Sequence, residues 1–324
     1  MGSLRVAPRD SRLSLFCRQY KYGNTNLELG FRLAKLCHVQ NAQQSEYYSQ
    51  LPEDNIPLQN TFPSPNDPPW HSVAAVGLWI LSVLLILIVP SLFLLPYLAS
   101  LDVPFSDSAE MMEFAKNDPM AVFLQIVAIL PAHLLTLLAA WLVVTRLKSY
   151  SFREMLGWHS GGFKWWHYLL ILGSFFVVAA IVGSYFPEQD NDLLRMLRTS
   201  RSTVYIVAFV ATFTAPLIEE VIYRGVLYSA FQRAIGVPAA FLLVTFLFAV
   251  VHVPQYYPSF STIALLTLLS LTLTAIRVRS QNLLPCIILH TLFNGVQSVF
   301  LLLEPLIKQP DLQTQSAVLF HLFK

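Results

Sequence analysis

Seven apolar stretches dominate this chain, at residues 72–98, 120–145, 165–186, 203–231, 237–253, 260–276 and 283–303. A hydrocarbon core roughly 30 Å thick is crossed by about 20 helical residues rising 1.5 Å each, so each stretch is long enough or nearly so. Lipid offers no hydrogen bonds to a backbone, which leaves helices as the economical way for such runs to satisfy their own N–H and C=O groups. The pattern predicts an all-α, polytopic transmembrane helical bundle of about seven spans, or eight if the fourth stretch breaks near Pro216. Composition supports this: 55% of the 324 residues are hydrophobic and 12% charged, about half the charge share of a soluble domain. Two soluble domains, which the length alone would permit, are excluded. A net charge of +2 provides no basic surface for nucleic acid. Cys17, Cys37 and Cys286 are too scattered for a disulfide framework or a zinc finger, and no second pair accompanies Cys37-His38.

The charges that remain are sorted by side. The loop after the first stretch holds Asp102, Asp107, Glu110, Glu113 and Asp118 against Lys116. The next holds Arg146, Lys148, Arg153 and Lys164 against Glu154. Arg233 and the pair Arg277/Arg279 fall on the same side as the basic loop, as does an N-terminal segment with seven Lys/Arg. The positive-inside rule then predicts an integral, multi-pass protein with a cytoplasmic N-terminus. Residues 1–71 read as a polar cytoplasmic tail. Within it Leu27, Phe31 and Ala34, and Leu29, Leu33 and Leu36, recur at helical spacing, predicting a helix on the membrane or on a partner. Residues 60–70, with four prolines, read as a stiff linker. The expected organisation is a tail and linker at 1–71, accessory transmembrane helices at 72–200, a catalytic core at 201–306 and a C-terminal tail at 307–324.

Only Glu219, Glu220 and Arg224 place formal charge deep inside a stretch. Each would cost about 2.5–3.5 kcal/mol at the centre of a lone helix, so they must pair or line a wet cavity. Glu220 and Arg224 are i,i+4 neighbours able to form an ion pair on one face. Glu219 lies about 100° away around the helix and is left to another task. His252 and His290 lie in two later stretches, and Asn294 follows His290 by one turn on the same face. A carboxylate to activate water, with imidazole and amide donors for an oxyanion, is a hydrolytic constellation. His133, alone in the second stretch, reads as an interhelical hydrogen bond.

These residues fall into three motifs. Glu219-Glu220-Val-Ile-Tyr-Arg224, Phe248-Ala-Val-Val-His252 and His290-Thr-Leu-Phe-Asn294 resemble the EExxxR, FxxxH and HxxxN motifs of the CAAX protease and bacteriocin-processing family, which includes the type II CAAX prenyl endopeptidases. The resemblance covers about residues 203–303. It implies a helical bundle with a cavity open toward the membrane and the cytoplasm. It implies an intramembrane endopeptidase acting on a lipidated or membrane-bound peptide, with Glu219 as the water-activating base, His252 assisting and His290 with Asn294 at the oxyanion. Glu220 and Arg224 would hold the site. A non-catalytic scaffold or bacteriocin-immunity protein that keeps the fold is the alternative. Glu219, His252 and His290 would also suffice to hold a zinc ion with water in the fourth position. A metal-free glutamate–histidine mechanism is favoured, with zinc kept open. Of the two membranes in which such proteins work, the bacterial plasma membrane is favoured over the endoplasmic reticulum.

Overall fold

The structure is a computed structural model that describes residues 63–101 and 107–307. In chain order the helices are α1 (Ser72–Ser100), α2 (Ser108–Asn117), α3 (Pro119–Thr145), α4 (Phe152–Leu156), α5 (Trp165–Tyr185), α6 (Asp192–Thr199), α7 (Arg201–Ile235), α8 (Val237–Tyr256), α9 (Phe260–Ser280) and α10 (Leu284–Ile307). No strand occurs among the described residues. Seven of these helices are long and apolar enough to cross a membrane: α1, α3, α5, α7, α8, α9 and the Leu284–Leu303 part of α10. The expected bundle and its span count are therefore present. The two shortest stretches gain length, since α8 reaches Tyr256 and α9 reaches Ser280.

Pro216 does not divide the fourth span. The rod continues as α7 for 35 residues, but its winding loosens. Val210–Thr214 and Val221–Leu227 are π-helical, flanking a short α segment at Ala215–Glu220. The physical reason for the first is local. Proline lacks an N–H and its ring collides with the carbonyl four residues back, so a regular ladder cannot pass through it. Widening to i→i−5 bonds lets Ala215 N–H reach Val210 O, a device that recurs at functional positions in helices.

Packing concentrates around α7. Its central residues Val221, Ile222, Val226, Leu227 and Tyr228 are buried together with Ala140 and Val144 of α3 and Ala240, Val244 and Phe248 of α8. The small residues on α3 and α8 let the backbones approach closely, as membrane helices do where apolar burial alone gives little association.

Residues 63–70 differ from the expected stiff linker. They fold as a strap across the end of the bundle where α7 and α9 terminate. Trp70 is buried and its indole N–H donates to Val226 O at 3.1 Å. Arg277, fully buried near the end of α9, donates to Pro65 O at 2.7 Å and to Asn66 Oδ1 at 3.0 Å. Arg233 of α7 donates to the carbonyls of Pro68 and Trp70. Proline-rich backbone offers carbonyls without competing N–H donors, so it suits a segment gripped by arginines. The expected tail helix and the C-terminal tail beyond residue 307 lie outside the described residues.

Candidate active site

Glu220 and Arg224 are both completely buried, and Arg224 Nη1 donates to Glu220 Oε1 at 2.9 Å. The rest of the guanidinium is also engaged. Nη2 donates to Ser270 O at 3.1 Å and Ser270 Oγ at 2.8 Å, Nε donates to Thr274 Oγ1 at 3.4 Å, and the group sits 4.7 Å over the Phe248 ring. Such saturation is what makes a buried pair tolerable, because desolvation otherwise exceeds the Coulomb gain. The expected i,i+4 pair is thus present, with its guanidinium supported from α9, while Glu220 Oε2 is buried without a hydrogen-bond partner among the described residues.

The same Glu220 oxygen accepts a second bond, from His290 Nδ1 at 2.8 Å. A carboxylate held by an arginine only accepts, so the His290 Nδ1 carries the hydrogen. The far ring nitrogen, Nε2, then faces Glu219, 3.8 Å from Oε2. Glu219 has no Arg or Lys partner among the described residues, and a quarter of its side chain is exposed to the cavity. Two adjacent carboxylates therefore occupy opposite environments: Glu220 is locked in the packed interior, and Glu219 looks into open space.

His252 reaches the same cavity from α8. Its Nδ1 donates to Phe248 O at 2.7 Å, one turn earlier. A carbonyl cannot donate, so in the neutral ring Nε2 is left as the acceptor. Phe248 lies between the two histidines, its centroid 4.7 Å from the His252 ring and 6.2 Å from the His290 ring. It also meets Tyr223 edge-on at 5.1 Å. This one aromatic ring neighbours both histidines and Arg224.

Asn294 has a specific backbone partner. In the π-helical stretch, Ala211 O would look to residue 216 for its hydrogen bond, and Pro216 has none to give. Asn294 Nδ2 fills the gap, donating to Ala211 O at 2.8 Å. One turn on, Ser298 Oγ donates to Ala208 O at 3.3 Å. The carboxamide keeps its second N–H, and the residue lines the cavity.

The cavity measures about 1210 Å³ and is mostly apolar. Glu219, His252, His290 and Asn294 all line it, as do residues of α1, α3, α5, α6 and α9. Several lining groups lie outside the three motifs. His133 of α3 hydrogen-bonds through Nδ1 to Thr214 Oγ1 at 2.9 Å, the interhelical bond expected of it. It also borders the cavity, which its isolated position in the sequence does not signal. Tyr223 is another. Its hydroxyl accepts from Trp79 Nε1 at 3.1 Å, and a tyrosine between two motif residues carries no distinguishing mark.

The zinc alternative fares differently. Among the described residues no group of three His, Cys, Asp or Glu side chains is arranged to hold a metal ion. His290 spends Nδ1 on Glu220 and His252 spends Nδ1 on a carbonyl, which leaves one nitrogen each. Glu219, His252 and His290 do not close around a common point as a ligand set requires.

No curated protein and no solved structure matches the chain. A family model does match, over residues 201–296, and those residues contain all three motifs. The family is described as type II CAAX prenyl endopeptidase Rce1-like, and it is to that family that this segment, from the start of α7 into α10, is similar.

Proposed function

We propose that this protein is an intramembrane endopeptidase that cleaves a lipidated or membrane-bound peptide by a glutamate–histidine mechanism. The observation that carries this reading is the split between the paired, buried Glu220 and the cavity-facing Glu219, 3.8 Å from His290 Nε2. Within this reading Glu219 takes a proton from a water and directs its oxygen at a peptide carbonyl. His252, with Nε2 as an acceptor, receives or relays that proton toward the leaving amine. His290, held through Nδ1 by Glu220, flanks the developing oxyanion, and the second N–H of Asn294 donates to it. No step passes through a metal, because the donor set does not converge on one.

The similarity of residues 201–296 to a prenyl endopeptidase family supports the reaction class. The cavity supports the substrate class. At about 1210 Å³ with mostly apolar walls, it exceeds the roughly 300–1,000 Å³ of ordinary small-molecule pockets. It has room for a peptide segment together with an acyl or prenyl chain. Charge placement supports an orientation with the strap and the α3–α5 loop on the cytoplasmic side. Residues 72–200 then act as accessory helices and 201–306 as the catalytic core, in a bacterial plasma membrane rather than the endoplasmic reticulum.

Incubating purified protein with a fluorogenic lipidated peptide tests the proposal. Cleavage by the native protein and its loss in Glu219→Gln would support it. A scaffold or immunity role predicts instead no cleavage by either form.

A further inference from the structure

We propose that Tyr223 is a further catalytic residue, its hydroxyl donating to the scissile carbonyl oxygen as that atom becomes an oxyanion, with Trp79 of α1 as its positioning residue. The inference deepens the peptidase reading and rests on it.

The motif residues are short of hydrogens to donate. His290 spends its Nδ1 hydrogen on Glu220, and His252 spends its own on Phe248 O. In the neutral rings both Nε2 atoms therefore accept. Glu219, as the base, accepts as well. Asn294 gives one N–H to Ala211 O and has one left. An oxyanion on a peptide carbonyl would find a single donor among them, where serine proteases aim two at it. Other hydroxyls along the cavity are committed. Ser82 donates to Trp79 O at 2.7 Å, Thr136 to Ala132 O at 2.9 Å and Ser298 to Ala208 O at 3.3 Å.

Tyr223 has a hydrogen to spare. It follows Glu219 by one turn of α7, so the two share a face, and both line the cavity. Its oxygen accepts from Trp79 Nε1 at 3.1 Å. An indole N–H only donates, so that bond leaves the phenolic hydrogen unspent. Among the described residues no acceptor takes it.

The hydroxyl is also held in place. Tyr223 is 5% exposed and its ring meets Phe248 edge-on. Trp79 packs against the same core without lining the cavity. Its N–H thus arrives from behind and leaves the cavity side of the hydroxyl open. A hydrogen bond onto the phenolic oxygen polarises the group and strengthens the bond it donates in turn. A donor fixed in advance needs no reorganisation as charge develops. Tyr256 offers a contrast. It lines the cavity one turn beyond His252, with its ring 6.4 Å from that imidazole, but no hydrogen bond fixes its hydroxyl among the described residues.

In the step itself the water oxygen bonds to the carbonyl carbon, its proton passes to Glu219, and the C=O π pair settles on the carbonyl oxygen. Tyr223 keeps its proton and hydrogen-bonds that oxygen until the C=O re-forms and the amine leaves. Trp79 lies outside the matched residues 201–296, so an accessory span takes part in the chemistry of the core.

Two measurements test the proposal: cleavage of a fluorogenic lipidated peptide, and binding of its phosphonate analogue, whose tetrahedral P–O⁻ stands for the oxyanion. Tyr223→Phe is expected to lower kcat about 10²-fold with KM within about twofold. Its affinity for the phosphonate should fall alongside kcat. Trp79→Phe should lower kcat about 2- to 12-fold, the worth of one neutral hydrogen bond. Added to Tyr223→Phe it should cost less than about twofold more, because the two act as a unit. That double variant strands no indole N–H, so it should melt with the native protein and separates lost chemistry from lost fold. A folded Tyr223→Phe with kcat within about twofold of native would overturn the proposal, since an oxyanion donor is worth far more. Equal weakening of KM and phosphonate binding, or a loss confined to Tyr256→Phe, would overturn it too. A native protein that cleaves nothing would instead undo the peptidase reading, and the proposal with it.

Discussion

His290 and Arg224 share one oxygen: Nδ1 of the histidine lies 2.8 Å from Glu220 Oε1, and the guanidinium lies 2.9 Å from the same atom. An ion pair that looks from its spacing like a structural staple is thus also the orienting element for an imidazole seventy residues away. The consequence is a clean separation between the two adjacent glutamates. Replacing Glu220 by Ala strands a buried guanidinium and frees the His290 ring, and the expected loss is about 3–5 kcal/mol of stability. Glu219→Gln removes a partly exposed carboxylate with no cationic anchor and should leave stability within about 0.5 kcal/mol. Thermal unfolding of the two variants in one detergent checks the contrast.

Arg224 makes a sharper test than charge alone. Lysine would keep the positive charge but lacks the planar fork that reaches Glu220, Ser270 and Thr274 together. Arg224→Lys is therefore expected to unfold at lower temperature than the native protein, by a loss of about 1.5–3 kcal/mol for the forfeited charged hydrogen bonds. A lysine variant as stable as the native chain would show that the Ser270 and Thr274 contacts contribute little.

Phe248 packs against both histidines and under Arg224. Phe248→Leu keeps the site apolar but removes the flat wall that sets the two ring planes. Small displacements of catalytic groups cost rate more than binding, on the order of 10²-fold for a shift of about 1 Å. Peptide cleavage should fall in kcat with KM nearly unchanged. An equal fall in substrate affinity would mean that Phe248 acts by contacting substrate rather than by setting the ring planes.

The spans and the motif residues were legible because their signals are local. Length and apolarity define a membrane helix within a single window, and a charge in such a window demands a partner within one or two turns. Glu220–Arg224 satisfied that demand in the way the i,i+4 spacing predicted. The strap was not legible for the opposite reason. Pro65, Asn66 and Pro68 bond to Arg277 and Arg233, more than 160 positions away, and a four-proline run shows carbonyls to spare without showing what takes them. The loosened winding of α7 lay between these cases. Pro216 marked a disturbance, but whether the chain breaks or widens depends on a neighbour able to bond the freed carbonyl, here Asn294 on α10.

The ion pairs that pin α6 lie in solvent, so salt and acid should act on them differently. The side-chain bond from Arg195, with the nearby charge of Arg198, holds the Asp190 carboxyl below the ordinary Asp range. A depressed carboxylate contributes above its unfolded pKa and loses that contribution as pH falls through its folded one. Anchoring should hold from neutral pH to the usual Asp range and fade only below it. At neutral pH, about 1 M salt shortens the screening length to roughly 3 Å and should loosen the helix. Amide exchange over residues 192–198 is the readout. Exchange insensitive to salt would show that leucine packing alone holds α6.

Chelation bears on the donor set. Since Glu219, His252 and His290 do not converge as metal ligands, peptide cleavage should persist after exhaustive treatment with a zinc chelator. Loss of activity restored by added zinc would require a rearranged site.

The most direct test is cleavage of a lipidated peptide by purified native protein and by Glu219→Gln, each first shown to be folded by its melting temperature. The account predicts turnover by the native protein and a fall of about 10²–10⁴-fold, the range for removing a general base, in a variant that melts at the same temperature. Undiminished cleavage by a folded Glu219→Gln protein would contradict it.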